Sequence, residues 1–143
     1  MKKTVCHILF IFFLSSLSKS QTNIPNKGNI SVCIKGCQLN KGKVVIALLN
    51  TKKSYLSTQS KPYKYAYLRN VYRYTFKDIP YGTYAIQLYY DQNDNDKLDM
   101  TFGIPREKYG FSNNARKYFS KPSYQEVCFT LRQSVVIQHI VLK

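Results

Sequence analysis

The sequence predicts an all-β domain, an antiparallel two-sheet sandwich of about seven strands with one long ordered loop. Three observations carry that expectation. Beyond residue 20, no stretch keeps apolar residues at the 3.6-residue helical period. Six or seven short segments rich in β-branched and aromatic residues are separated by turn residues, without helical segments between them. After residue 20 about 120 residues remain, enough for one core and too few for two.

The first 20 residues read as a cleavable export signal. MKKTVCH is a short basic start, ILFIFFLSSL an apolar run, and SKS a small-residue end, so cleavage is expected after Ser20. The apolar run falls short of the roughly 20 residues that a membrane-spanning helix needs. Cys6 precedes it and so is not placed for lipidation. A secreted or periplasmic chain is the expectation, with a flexible lead-in at 21–28 and one domain at 29–143.

Within that domain, NISVCIK alternates Ile30, Val32 and Ile34 with polar or small neighbours, and KVVIALL is apolar on both faces, as a central strand is. Residues 51–68, with Pro62 and many lysines and tyrosines, read as a long loop or edge excursion. VYRYTF and TYAIQLYY alternate again, joined by the turn KDIPYG. YQEVCFTL and SVVIQHIVLK read as the two closing strands. The 91–123 segment is too long for an ordinary connection. Its apolar residues Phe102, Ile104, Tyr109 and Phe111 are expected to hold it in place.

Charge is distributed unevenly. The chain has 22 Lys and Arg against 7 Asp and Glu, yet Asp91, Asp94, Asp96 and Asp99 fall within one short stretch, YYDQNDNDKLD. Oxygen-bearing side chains at Asp91, Asn93, Asn95 and Asp99 follow a D-x-N-x-N-x-x-x-D frame. Ca²⁺ takes six to eight oxygen ligands, and a curled loop presents alternate residues inward to supply them. Lys97 adds its backbone carbonyl in this reading, and Glu107 folds back to complete the shell. The frame is not an EF-hand, because Asp96 stands where that loop has Gly and Phe102 where it has Glu. A bound ion would order the 100–115 segment and stiffen a binding surface at Tyr109, Phe111, Ser112 and Asn113. The competing reading is a metal-free loop held by Asx turns.

The run FKDIPYGTYAIQLYYDQNDNDKLDMTFGIPREKYGFSNNA resembles the signature of the domain of unknown function 2141 family. Pro80, Gly82 and Tyr84 match its first turn, Asp91, Asn93, Asn95 and Asp99 its acidic loop, and the G-x-P-x-E-x-Y-G-F-S-N string its end. The resemblance implies a small, secreted, bacterial protein, and it implies architecture more than activity. Asp96 replaces the family's usual glycine, which implies a looser turn. The F-x-D-I-P-x-G-x-Y hairpin is also similar to transthyretin-like sandwiches, so an immunoglobulin-like or transthyretin-like topology is implied.

Other constellations are weaker. No G-x-S-x-G, H-E-x-x-H or P-loop pattern is present, and an enzyme would have to use Asp91, Asp99 and Glu107 as acid and base. A non-enzymatic binding or structural module is the preferred reading. The mixture of tyrosines and cations at 52–74 fits a metal-free adhesion domain that binds an anionic glycan or other polyanion through Lys61, Lys64 and Arg69. An envelope surface or another protein is an alternative partner, and export argues against nucleic acid. Cys33, Cys37 and Cys128 leave one disulfide plus a free thiol, or buried inert thiols, as the choices.

Overall fold

The computed structural model describes residues 26–38, 40–57, 61–118 and 120–143. The expected leader, and residues 21–25 of the expected lead-in, lie outside the described residues. The strands are β1 (Lys27–Lys35), β2 (Lys43–Leu49), β3 (Lys64–Leu68), β4 (Arg73–Pro80), β5 (Gly82–Asp91), β6 (Met100–Thr101), β7 (Ile104–Pro105), β8 (Tyr109–Phe111), β9 (Phe129–Leu131) and β10 (Val135–Val141). Two short helices, α1 (Lys52–Leu56) and α2 (Tyr124–Val127), and a 3-10 turn at Ser112–Asn114 complete the elements. The all-β sandwich expected from the sequence is the observed architecture.

One sheet has the order β10-β1-β4. The other runs β3-β2-β5-β8, with β9 also paired to the start of β5, and β6–β7 form a separate small hairpin. All pairings are antiparallel except one: β1 and β10 run parallel from Asn29↔Val135 to Lys35↔Val141.

Alternation explains the core. Ile30, Val32 and Ile34 from β1 meet Val44, Ile46 and Leu48 from β2, and Ile86, Leu88 and Tyr90 from β5. Fully burying an aliphatic side chain of this kind contributes about 1.5–3 kcal/mol, so this layer holds the two sheets together. Because β2 is apolar on both faces, its outward residues need a cover as well. At one end α1 and α2 supply it: Leu49 and Ala85 pack with Tyr55, Phe111 and Val127 in a second cluster.

Four expectations need correction. Residues 51–68 are not a loop throughout. The Thr51 hydroxyl accepts from the Ser54 N–H at 3.0 Å and starts α1, and 64–68 form the edge strand β3. The segment 124–131 opens as helix α2, where the Glu126 carboxylate accepts from the Ser123 N–H and hydroxyl at 2.7 and 2.6 Å. Those two hydrogen bonds, with Lys117 at 3.1 Å, hold the Glu126 carboxyl down at about 2. The lead-in is also shorter than expected, since β1 begins at Lys27. All three described cysteines, finally, are free thiols, with Cys33 buried and Cys37 and Cys128 half-buried, so neither a disulfide nor three buried thiols is observed.

Candidate functional site

The acidic loop begins where β5 leaves the sheet. Lys43 and Asp91 are cross-strand partners at the ends of β2 and β5. Gly42 lets the chain approach this point. Its φ is +63°, and a Cβ there would overlap the Asp91 carbonyl. Asp91 is 0 % exposed. Its Oδ1 accepts from the Asn95 N–H at 3.1 Å and its Oδ2 from the Asp96 N–H at 2.8 Å. The Lys43 ammonium lies 3.5 Å from Asp91, 3.3 Å from Asp94 and 2.7 Å from Asp96. The bond to Asp96 holds that ammonium above its ordinary value.

A second cation, Arg69, meets Asp94 through two hydrogen bonds of 2.8 and 3.0 Å. That pairing, with Lys43 behind it, keeps the Asp94 carboxyl below the usual aspartate range. Asp94 and Asp96 adopt left-handed φ values of 61° and 62°. Aspartate tolerates this region better than most residues. Asp96 therefore takes up the glycine-like conformation itself, and the turn is not opened as the resemblance implied.

The expected calcium ligands divide into two groups. Asn93 and Asn95 each donate a side-chain N–H to Asp99 at 2.8 Å, so these three side chains converge. Asp91 and Glu107 are turned to the backbone instead. Glu107, 8 % exposed, accepts from the Gln92 N–H at 2.9 Å and the Asp99 N–H at 3.2 Å, which ties the two ends of the loop together. The Lys97 N–H donates to the Asn95 side-chain oxygen at 2.8 Å. Among the described residues, no three or more His, Cys, Asp or Glu side chains are grouped to hold a metal ion. Amide oxygens and carbonyls would have to complete any cation shell here.

The expected binding surface also divides. Ser112 is fully buried, donating to the Val127 carbonyl and accepting from the Ile86 N–H at 2.9 Å. The Asn113 amide donates to the Glu126 and Cys128 carbonyls at 3.1 and 3.0 Å, anchoring α2. These two are framework. Tyr109 and Phe111 instead stand on the outer side of β8, with ring centroids 5.8 Å apart, Tyr109 half-buried and Phe111 buried in the second cluster. Of the polyanion candidates, Arg69 is engaged by the acidic loop, whereas Lys61 and Lys64 are exposed beside β3.

Between the acidic loop and the two helices, the outer face of the larger sheet is left open. Strand register writes its floor as two rows: Tyr67, Val45, Tyr89 and Tyr109, then Tyr65, Ala47, Gln87 and Phe111. The small residues of β2 thus lie between aromatic neighbours, and the hairpin β6–β7 with Arg116, Tyr118, Ser120 and Lys121 lines the sides. The resulting groove has a volume of about 950 Å³. Tyr65 and Tyr67 are 51 % and 58 % exposed, and their rings stack at 6.1 Å with 24° between planes. Burial, with the negative charge of Asp91, pushes the Tyr89 hydroxyl up to about 12, so it stays a hydrogen-bond donor at neutral pH. Lys43 sits 5.7 Å from the centre of the Tyr67 ring and so joins the acidic loop to the groove.

The groove residues Val45, Ala47, Gln87, Tyr89, Arg116 and Lys121 were not singled out from the sequence. The signal available was the double-faced apolar pattern of β2, which marks a covered outer face without saying what covers it.

Comparison with known proteins adds a lineage and no activity. No curated protein matches the chain, and no solved structure does. One family model matches residues 32–138, from within β1 to within β10, in agreement with the resemblance read from the acidic loop and its flanks. The chain therefore belongs to the family described as uncharacterized protein conserved in bacteria (DUF2141).

Proposed function

We propose that this chain is an exported, non-enzymatic β-sandwich module that binds a saccharide in the tyrosine-floored groove. The observation that carries the reading is the stacked, half-exposed Tyr65–Tyr67 pair above a groove large enough for several sugar rings. Sugar rings present C–H faces to aromatic faces and hydroxyls to the polar rim. Tyrosine suits both, being apolar in its body and polar at its tip. Pockets that bind small ligands are likewise largely aromatic with a few placed polar groups. Gln87 on the floor and Ser120 at the side are such groups.

Binding is favoured over chemistry by the occupation of the carboxylates. Asp91 and Glu107 each hold two backbone N–H groups, so neither is free to serve as acid or base beside Asp99. Titration of the mature chain with a panel of oligosaccharides, followed by tyrosine fluorescence, tests the reading. Replacing both Tyr65 and Tyr67 by Ala should weaken binding by about tenfold or more, equivalent to the loss of roughly 1.4 kcal/mol. Exposed substitutions of this kind change stability little, so the thermal midpoint serves as the control. Saccharide binding unaffected by the double variant would remove the groove from the reading.

A second reading keeps Ca²⁺, and the convergence of Asn93, Asn95 and Asp99 favours it. Turning both amides would aim two oxygens at the carboxylate's position, and a cation placed among them would receive oxygen from all three side chains. Water and main-chain carbonyls would have to complete six or more ligands. On this reading millimolar Ca²⁺ raises the thermal midpoint by several degrees through mass action, and Asp99→Ala abolishes the rise. A midpoint indifferent to Ca²⁺ and to chelator leaves the loop as a metal-free wall of the groove.

A further inference from the structure

We propose that the groove selects saccharides that carry an acid group, with Lys121 and Arg116 as the cations that receive it. This rests on the saccharide reading above and specifies its ligand class. Both cations lie against the outward aromatic pair of β8. The Lys121 ammonium is 6.0 Å from the Phe111 ring centre and 3.8 Å from that of Tyr55, and the Arg116 guanidinium is 5.8 Å from that of Tyr109. Both line the groove.

Their partners are all neutral. Lys121 donates to the Tyr55 carbonyl at 2.7 Å and the Gln87 side-chain oxygen at 3.0 Å. Arg116 donates to the carbonyls of Tyr109 and Val141 at 3.3 and 3.2 Å. Among the described residues, which include all seven Asp and Glu, no carboxylate lies in ion-pair range of either. The available carboxylates are engaged elsewhere: Asp91, Asp94 and Asp96 around Lys43, Glu126 beside Lys117, and Asp99 and Glu107 within the loop. Lys121 is also partly withdrawn from water, and that burial pushes its ammonium below the ordinary lysine value. A cation whose hydrogen-bond partners are only neutral carbonyl dipoles gains from an incoming anion, because charge-assisted hydrogen bonds are the stronger kind. The same dipoles orient the two cations before the ligand arrives.

A matched pair of probes isolates the acid group. Hexagalacturonate and its fully methyl-esterified form share their rings and differ in charge. Calorimetric titration of the mature chain in 150 mM salt should find the acid bound about tenfold or more tightly than the ester. Lys121→Met and Arg116→Gln should each shrink that preference severalfold, weakening the acid far more than the ester. The thermal midpoint reports that each variant is folded, and Lys121→Arg should keep most of the preference. Equal affinity for acid and ester in the parent chain would overturn the acid preference and leave saccharide binding standing. A preference that persists in both variants would assign it to the general basic charge and overturn the roles of the two cations. Binding of no acidic oligosaccharide would overturn the acid preference, and the oligosaccharide panel above then decides separately whether the saccharide reading falls as well. A single-stranded oligonucleotide bound more tightly than hexagalacturonate, and released by the same substitutions, would overturn the ligand class in favour of nucleic acid.

Discussion

Asp91→Ala lowers the thermal midpoint of the mature chain by roughly 10 °C, the equivalent of about 3 kcal/mol in a domain of this size. The carboxylate removed is fully buried, and each of its oxygens accepts a backbone N–H from the turn that follows it. Alanine leaves both N–H groups without a partner inside the loop. An unsatisfied buried polar group forfeits about 1–3 kcal/mol, and more where its partner was charged. Asp91→Asn recovers only part of the loss, since an amide offers one acceptor oxygen where the carboxylate offers two. The exposed Asp78, which stands on β4 away from the loop, supplies the control: its replacement by Asn, which also tolerates the left-handed φ of 54° there, should leave the midpoint nearly unchanged. A midpoint equally unmoved in Asp91→Ala would mean that the loop does not depend on this carboxylate.

Lys43→Met produces the second large effect, and its signature is a dependence on pH. At neutral pH the substitution leaves Asp91, Asp94 and Asp96 facing one another without the ammonium that lies within 3.5 Å of all three. Breaking such a group by removing one sign is far more damaging than replacing the whole group with apolar residues. In the parent chain, the carboxyl of Asp94 is held low, first by Arg69 and then by Lys43. The stability this provides is fully present above the unfolded aspartate value near 3.9 and is lost as pH falls through the lower folded value. The variant has less of that stability to lose, and protonation relieves its repulsion. The gap between the two midpoints should therefore hold from pH 7 to about pH 4 and narrow as pH falls further, through the lowered Asp94 value. A gap that widens on acidification would show that Lys43 acts through packing against Tyr67 and not through charge.

Much of this fold was legible as alternation. β2 was read from its seven apolar-rich residues with its observed limits, and β1 and β5 within two residues, because period-2 burial needs no knowledge of the partner strand. Strand β3 was hidden because only Ala66 and Leu68 face inward, while Tyr65 and Tyr67 face the groove, so its pattern looked like polar loop. Helix α2 was hidden by accident of spacing: Val127, Phe129 and Leu131 alternate, although Ser123 and Glu126 form the S-x-x-E start signal of a helix. In the acidic loop the clustering of charge was visible and its neutralisation was not. That Lys43 stands opposite Asp91 follows from the β2–β5 register, and Arg69 reaches Asp94 only because β3 lies beside β2. Site geometry here is a product of long-range pairing, which local pattern does not encode.

The parallel pairing of β1 with β10 also bears on how the chain is made. The first described strand, central in its sheet, finds one of its two neighbours only in the last. Sequence-near pairs such as β2–β3 and β6–β7 have their residues at hand early, but the smaller sheet cannot be completed until the final residues are synthesised. Folds dominated by such distant pairings form slowly, because the chain must close a long loop before any contact rewards it. Until then one edge of β1 stays unpaired, an open template that the C-terminal strand closes last.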